Sequence, residues 1–290
     1  MTVASAHCWH NGEIVDREKG APSVASISFH LGTGVFDGLM AYWNRDHYYL
    51  HRAEDHLVRF REGAARMGLV FSWSVEELLE GIVELLKHEP QGTQYIRPIA
   101  FRGGPELWVT GSEGRPTDVS IFTVRTDAHR DLDDSIRCEV SAVERISSRS
   151  IPRQIKICGA YVNSFFARRT AERNGADDGL MFDREGHLTE ASAANVFLIR
   201  GDRLITPRLK PDVFPGITRT VVLEIARHNG IDAAEAEVRR EDLTGIDGAF
   251  VCSTLMEMRA LSKLGEVSLP TRELPLYKAL VTSFRTLTHQ

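Results

Sequence analysis

Among the six lysines of this chain, Lys19, Lys87, Lys156, Lys210, Lys263 and Lys278, Lys156 stands out for the Ile155, Ile157 and Cys158 around it. An amine kept from water gives up its proton more easily and can attack a carbonyl carbon. The same residues also suit an edge strand with its lysine in solvent, so residue type alone leaves both readings open. Other constellations lead away from chemistry. Gly32, Gly34 and Gly38 approach a dinucleotide fingerprint, but the last gap is one residue too long and no buried strand precedes them, so they read as turn glycines. His51 and His56 flank Glu54 and Asp55 at a spacing that does not share a helical face. Neither a His-Glu-x-x-His zinc motif nor a Gly-x-Ser-x-Gly elbow occurs, and no metal site is expected. Cys8, Cys138, Cys158 and Cys252 are widely spaced, which suits free thiols in a reducing cytoplasm.

The elements around Lys156 are legible in outline. Asn11-Gly12 between apolar flanks predicts a hairpin from Cys8 to Val15. Leu57, Phe60, Ala64 and Met67 share a helical face over Ala53 to Met67, and Ser74-x-x-Glu77 opens a second helix that turns Leu78, Leu79, Ile82, Leu85 and Leu86 inward. Strands are expected at Tyr95–Phe101, Val119–Arg125, Gly179–Asp183, Asn195–Arg200 and Leu204–Thr206. Helices are expected over Ala160–Asn174, stopped by Gly175, and over Ile217–His228, stopped by Gly230. The polar stretch 126–134 is the expected linker between a smaller α+β domain, 1–125, and a larger domain, 135–290, that carries Lys156. No regular βαβ rhythm or internal repeat appears, so the class is α+β.

Composition narrows the function. The chain has 290 residues, 42% hydrophobic and 26% charged, which suits a soluble globular protein with a sizeable core. A formal net charge of −5 with interleaved arginines and acids gives no pull toward nucleic acid or an anionic membrane. No apolar run reaches the roughly 18 residues of a membrane span. The first ten residues lack the basic head and apolar run of a secretory signal.

Read together, four segments resemble fold-type IV pyridoxal-phosphate enzymes, in that family's order and approximate spacing across nearly the whole chain. They are Lys156-Ile-Cys-Gly159-Ala-Tyr161-Val-Asn163-Ser164, Leu188-Thr189-Glu190-Ala-Ser192-Ala-Ala-Asn195-Val196-Phe197, Pro215-Gly216-Ile217-Thr218-Arg219 and Glu54-Asp55-His56-Leu57-x-Arg59-Phe60. The resemblance implies two α+β domains, the second barrel-like, with pyridoxal 5'-phosphate between them, in a homodimer. It implies Lys156 as the amine that carries the cofactor and moves the proton, and Glu190 as the carboxylate on the ring nitrogen. Tyr161 would meet the phenolic oxygen. Arg59, Gly216, Ile217 and Thr218 would hold the phosphate, with Ser253 and Thr254 at a second turn. Each role answers a chemical need: an electron sink wants a protonated ring nitrogen, and a phosphate wants backbone donors and a guanidinium fork.

Within the family, Tyr95-Ile96-Arg97-Pro98 and Phe29-His30-x-Gly32-Thr33-x-Val35-Phe36-Asp37-Gly38 are most similar to branched-chain amino acid aminotransferases. That likeness implies Tyr95 and Arg97 for substrate carboxylates, Phe36 for the side-chain pocket, and Thr254 and Leu255 at the carboxylate end. The expected reaction moves an amino group from an apolar, branched-chain-like L-amino acid to 2-oxoglutarate by a ping-pong mechanism. Three departures bear on substrate choice: Leu31 for a tyrosine, Trp108-Val109-Thr110 for a glycine-containing loop, and Leu255-Met256 for two small residues. They keep open a D-amino-acid or (R)-amine aminotransferase, or an aminodeoxychorismate lyase, whose equivalent turn Ser253-Thr-Leu-Met256 resembles. A cofactor-carrying protein without turnover is the remaining alternative.

Overall fold

The Asn11-Gly12 pair adopts positive φ at both residues, 48° and 101°, and so closes a two-residue hairpin between β1 (His7–His10) and β2 (Glu13–Asp16). The structure is a computed structural model that describes residues 4–105, 114–127 and 133–288. Its chain divides into two units: residues 1–128 with 155–160, and residues 129–154 with 161–290. Ile155–Ala160, and Lys156 with it, therefore belongs with the first unit, whereas the sequence grouped residues 135–290 together.

In the first unit, α1 (Ile27–Leu31), β3 (Val35–Phe36), β4 (Leu39–Asn44) and β5 (His47–His51) precede α2 (Ala53–Arg66), α3 (Val75–Lys87), β6 (Gln94–Phe101) and β7 (Asp118–Arg125). The sheet runs β2-β1-β7-β6-β4-β5, with β3 on β6. All of its pairings are antiparallel. The two helices follow their apolar spacing: Leu57, Phe60 and Ala64 of α2 and Leu78, Ile82, Leu85 and Leu86 of α3 are buried. Both hydrogen bonds of the Ser74–Glu77 capping box form. The β4–β5 hairpin is a difference from the sequence reading. Its turn, with Arg45 at φ 59°, lacks the Asn-Gly signal that betrays the first hairpin.

The second unit contains β8 (Ser135–Val140), α4 (Tyr161–Arg173), β9 (Asp178–Phe182), β10 (Leu188–Ala191), β11 (Asn195–Arg200), β12 (Arg203–Pro207), α5 (Ile217–His228), β13 (Asp232–Ala236), β14 (Gly248–Ser253), β15 (Glu257–Leu264), β16 (Val267–Ser268) and α6 (Pro275–Thr288). Its sheet runs β10-β9-β8-β15-β14-β11-β12-β13, with β16 on β15. The two edges meet, as the Leu188 amide donates to the Val238 carbonyl at 2.7 Å and His187 bridges to Arg239. This joining curls the sheet into the expected barrel-like form.

Alternation along β11 shows why its middle, Val196 to Ile199, is apolar without a break. Phe197 and Ile199 enter one core with Val221, Val222 and Ile225 of α5 and Tyr277, Leu280 and Phe284 of α6. Val196 and Leu198 enter another with Leu180, Val251 and Leu261. A strand buried on both faces cannot alternate apolar with polar. Among the described residues, no helix is long and apolar enough to cross a membrane.

Candidate active site

The lysine segment is clamped through its backbone. Phe36 N–H donates to the Lys156 carbonyl at 3.0 Å, Cys158 N–H to Gly34 at 2.8 Å and Gly159 N–H to Gly32 at 2.8 Å, while Val35 bridges Ile157. Gly32 caps α1 at φ 64°, and a Cβ there would lie 2.7 Å from the Gly159 Cα, so the approach excludes any side chain. Two of the turn glycines thus seat this segment. Lys156 is half-buried, with Nζ 5.8 Å from the centre of the Phe36 ring.

Phe36 also lies under a second cation, the Arg97 guanidinium, 4.4 Å from its ring centre. Tyr95 and Arg97 are two residues apart on β6 and share a face. Arg97 donates to the Tyr95 hydroxyl through Nη2 at 2.8 Å and Nε at 3.2 Å. Gly38 makes room for that hydroxyl, since a Cβ at Gly38 would stand 2.0 Å from it.

Arg59, on the second turn of α2, binds Asp37 at two points, Nε to Oδ2 at 2.8 Å and Nη2 to Oδ1 at 2.9 Å. His56, one turn earlier on the same helix, places Nδ1 2.8 Å from Asp37 Oδ1. Burial alone would raise the Asp37 carboxyl, but Arg59 and His56 outweigh it and hold it well below the usual carboxylate range. Burial pulls the His56 imidazole down despite that carboxylate. The sequence offered a trace of this cluster in the His56–Arg59 spacing, whereas Asp37, on a separate strand-to-strand turn, stood in the Phe29–Gly38 segment without a role of its own. Among the described residues no group of three or more His, Cys, Asp or Glu side chains is placed to hold a metal ion.

In the second unit the acidic residue Glu190 is 4% exposed, at a site where a charge needs partners. Its Oε1 pairs closely with Arg145, while Oε2 accepts from Phe214 N–H at 3.2 Å and Asn195 Nδ2 at 3.4 Å. Arg145 lies in an irregular stretch without a sequence signal. Asn163 of α4 fixes that stretch from both sides, accepting from Ile146 N–H at 3.0 Å and donating to the Glu144 carbonyl at 3.0 Å. Asp178 supports the turn after Glu190, accepting from Ser192 N–H at 3.3 Å, and burial raises its carboxyl above the usual range.

Gly216 precedes α5, and a Cβ there would meet Asn195 Oδ1 at 2.0 Å. Ile217 and Thr218 open the helix, so their amides have no acceptor within it. Tyr161 begins α4 and is half-buried. Ser253 ends β14, and its hydroxyl accepts from Met256 N–H at 3.2 Å across the turn that holds Thr254 and Leu255. Leu255 is 41% exposed and Leu31 47% exposed, while Trp108, Val109 and Thr110 lie outside the described residues.

The structure thus brings Phe36, Arg59, Tyr95, Arg97 and Lys156 into the first unit, and Tyr161, Glu190, Gly216, Ile217, Thr218, Ser253, Thr254 and Leu255 into the second. Two buried guanidiniums near Glu190 keep donors without hydrogen-bond partners among the described residues, Nε of Arg145 and Nε and Nη1 of Arg153. Burial, with Arg145 nearby, brings the Arg153 guanidinium down to about 10. A family model described as amino-transferase class IV matches residues 34–264, and the chain belongs to that family. It is 31% identical over 274 residues to a probable branched-chain-amino-acid aminotransferase of Aquifex aeolicus (strain VF5), covering 93% of this chain and 88% of the relative. The branched-chain aminotransferase of the archaeon Thermoproteus uzoniensis, solved with norvaline, superposes with a TM-score of 0.92 at 30% identity over 99% of this chain and 96% of the other. That of Thermobaculum terrenum, solved in its PLP-form (holo-form), superposes at 0.91 with 27% identity over 99% and 94%.

Proposed function

We propose that this chain transfers an amino group from an apolar, branched-chain-like L-amino acid to 2-oxoglutarate with pyridoxal 5'-phosphate, in two alternating half-reactions. The observation that carries the reading is the Arg97 guanidinium, oriented by the Tyr95 hydroxyl over Phe36 in the unit that holds Lys156. An apolar ring beside a carboxylate-binding fork suits both an aliphatic donor and an acidic partner.

The residues fit the cofactor. Buried donors of Arg145 and Arg153 without partners among the described residues suit an anion, Gly216 leaves backbone where a side chain would intrude, and Glu190 is a buried carboxylate. When bound, the cofactor supplies the aldehyde that takes up the amino group and the electron sink for Cα chemistry. Lys156 offers the amine for attachment and moves the proton at the substrate Cα. Glu190 keeps the ring nitrogen protonated, and Tyr161 donates to the phenolic oxygen. Arg59, the Ile217 and Thr218 amides and the Thr218 hydroxyl bind the phosphate, with Gly216 leaving room. Ser253, Thr254 and Leu255 border the phosphate and carboxylate end, and Phe36 lines the side-chain pocket. The reading extends to a cytoplasmic homodimer: Cys8, Cys138 and Cys252 are buried free thiols, and Val162, Phe165 and Phe166 expose an apolar patch on α4.

A donor screen with L-amino acids, D-amino acids and amines, followed by cofactor absorbance, tests this function. Rapid conversion by L-leucine and reversal by 2-oxoglutarate are expected. Conversion by D-amino acids or (R)-amines alone, or pyruvate released from aminodeoxychorismate, would replace it with one of the alternatives. Arg97→Ala should weaken glutamate and 2-oxoglutarate about 30- to 1,000-fold in kcat/KM, because a distal carboxylate loses its partner, and spare leucine. Half-reactions measured separately check this, and equal losses for both donors would assign Arg97 to the shared α-carboxylate or to structure. Gly38→Ala should displace the Tyr95 hydroxyl and loosen Arg97 indirectly. A loss on the order of 10-fold for glutamate, with leucine little changed, is expected in the same assay. An unchanged glutamate reaction would show that the hydroxyl's place does not matter.

A further inference from the structure

The Asp37 carboxylate is 1% exposed and spends both oxygens on fixed donors. Oδ1 accepts from Gly38 N–H at 2.7 Å and lies 2.8 Å from His56 Nδ1, while the pair of contacts to Arg59 uses the Nε and Nη2 edge of the guanidinium. The backbone beneath it is anchored as well, since Asp37 N–H donates to the Pro98 carbonyl at 3.0 Å. The carboxylate is therefore a rigid post on the sheet, and the helical arginine is the group that it grips. Two parallel contacts to a planar fork fix the plane and direction of the guanidinium, which a single contact leaves to rotate.

We propose that Asp37 is a positioning residue, which fixes the plane and direction of the Arg59 guanidinium so that it meets an anionic phosphate group, and holds it there before the ligand arrives. The inference rests on the reading that Arg59 binds the cofactor phosphate. It deepens that reading, because it separates orientation from charge. Asp37 offsets the positive charge of Arg59, so its removal would strengthen anion binding if charge alone mattered. If orientation matters, its removal weakens binding, because the ligand must then order a mobile side chain. The two ideas predict opposite signs.

Asp37→Asn, Arg59→Ala, Arg59→Lys and the Asp37→Asn/Arg59→Ala double variant should be prepared as full chains stripped of cofactor, with thermal melting as the check of folding. Equilibrium binding of pyridoxal phosphate and of pyridoxal, which lacks the phosphate, is then measured. Asp37→Asn should weaken pyridoxal phosphate on the order of 10- to 100-fold and pyridoxal by less than about 3-fold. It should add little further loss in the Arg59→Ala background, as expected of a residue that acts through Arg59. Arg59→Lys keeps the charge but offers no planar fork, so it should lose nearly as much as Arg59→Ala; this variant decides the matter if Asp37→Asn fails to fold. Unchanged or tighter pyridoxal phosphate binding by Asp37→Asn, equal losses for both ligands, full additivity in the double variant, or wild-type affinity in Arg59→Lys would each overturn the proposal. Wild-type affinity in Arg59→Ala would instead remove the phosphate role of Arg59 and the inference with it.

Discussion

Lys156→Ala is expected to fold normally and to lose covalent attachment of pyridoxal phosphate altogether, with no detectable half-reaction toward any amino acid. The fold should survive because the segment is held by main-chain bonds, among them the Phe36 amide to the residue 156 carbonyl, which alanine retains. The half-buried side chain makes no contribution to the apolar core. The chemistry should not survive, because one amine is asked both to attach the cofactor and to move the Cα proton. Borohydride reduction of the wild-type protein followed by peptide mapping should place the label on Lys156. Label on any of Lys19, Lys87, Lys210, Lys263 or Lys278, with Lys156 unmodified, would remove the assignment.

Glu190→Gln should retain cofactor but slow the amino-acid half-reaction on the order of 100-fold or more, as when a preorganised electrostatic partner is lost. The structure adds a second cost. Both carboxylate oxygens of Glu190 face donors, Arg145 on one side and the Phe214 amide with Asn195 on the other. An amide has one acceptor, so either orientation turns its NH2 toward a donor and leaves a buried group unsatisfied, at about 1–3 kcal/mol. Thermal melting should therefore show a lower midpoint beside the slower rate, and single-turnover absorbance separates the two effects. An unchanged half-reaction rate in a folded variant would show that Glu190 serves structure only.

How much of this protein could be read without coordinates depends on whether the physics was local. The Asn11-Gly12 turn, the Ser74–Glu77 cap and the span of α5 from Ile217 to His228 follow from short-range rules of φ, capping and helical period, and all three appear in the structure. The lysine, arginine and carboxylate candidates were legible because each motif is a short run whose order matches a known family. Elements whose identity depends on distant neighbours were harder to see. The strand β14 is a mostly apolar run and β15 mixes apolar with charged residues, neither with a turn signal as clear as Asn-Gly, and α6 starts at a proline and reads as a helix chiefly through its packing on α5 and the sheet.

The sequence by itself determined which side chains are candidates for the chemistry and which local elements hold them. Only the tertiary structure decided their partners, because hydrogen bonds between buried charges join residues far apart in the chain. Asp37 meets Arg59 across 22 positions, and Phe214 N–H reaches Glu190 across 24. Ile155–Ala160 joins the first unit because Gly32 and Gly159 pack with no room for a Cβ, a steric fact that no local pattern encodes. Burial then sets the energetics. A carboxylate withdrawn from water must find its donors, and which donors it finds is a property of the folded chain.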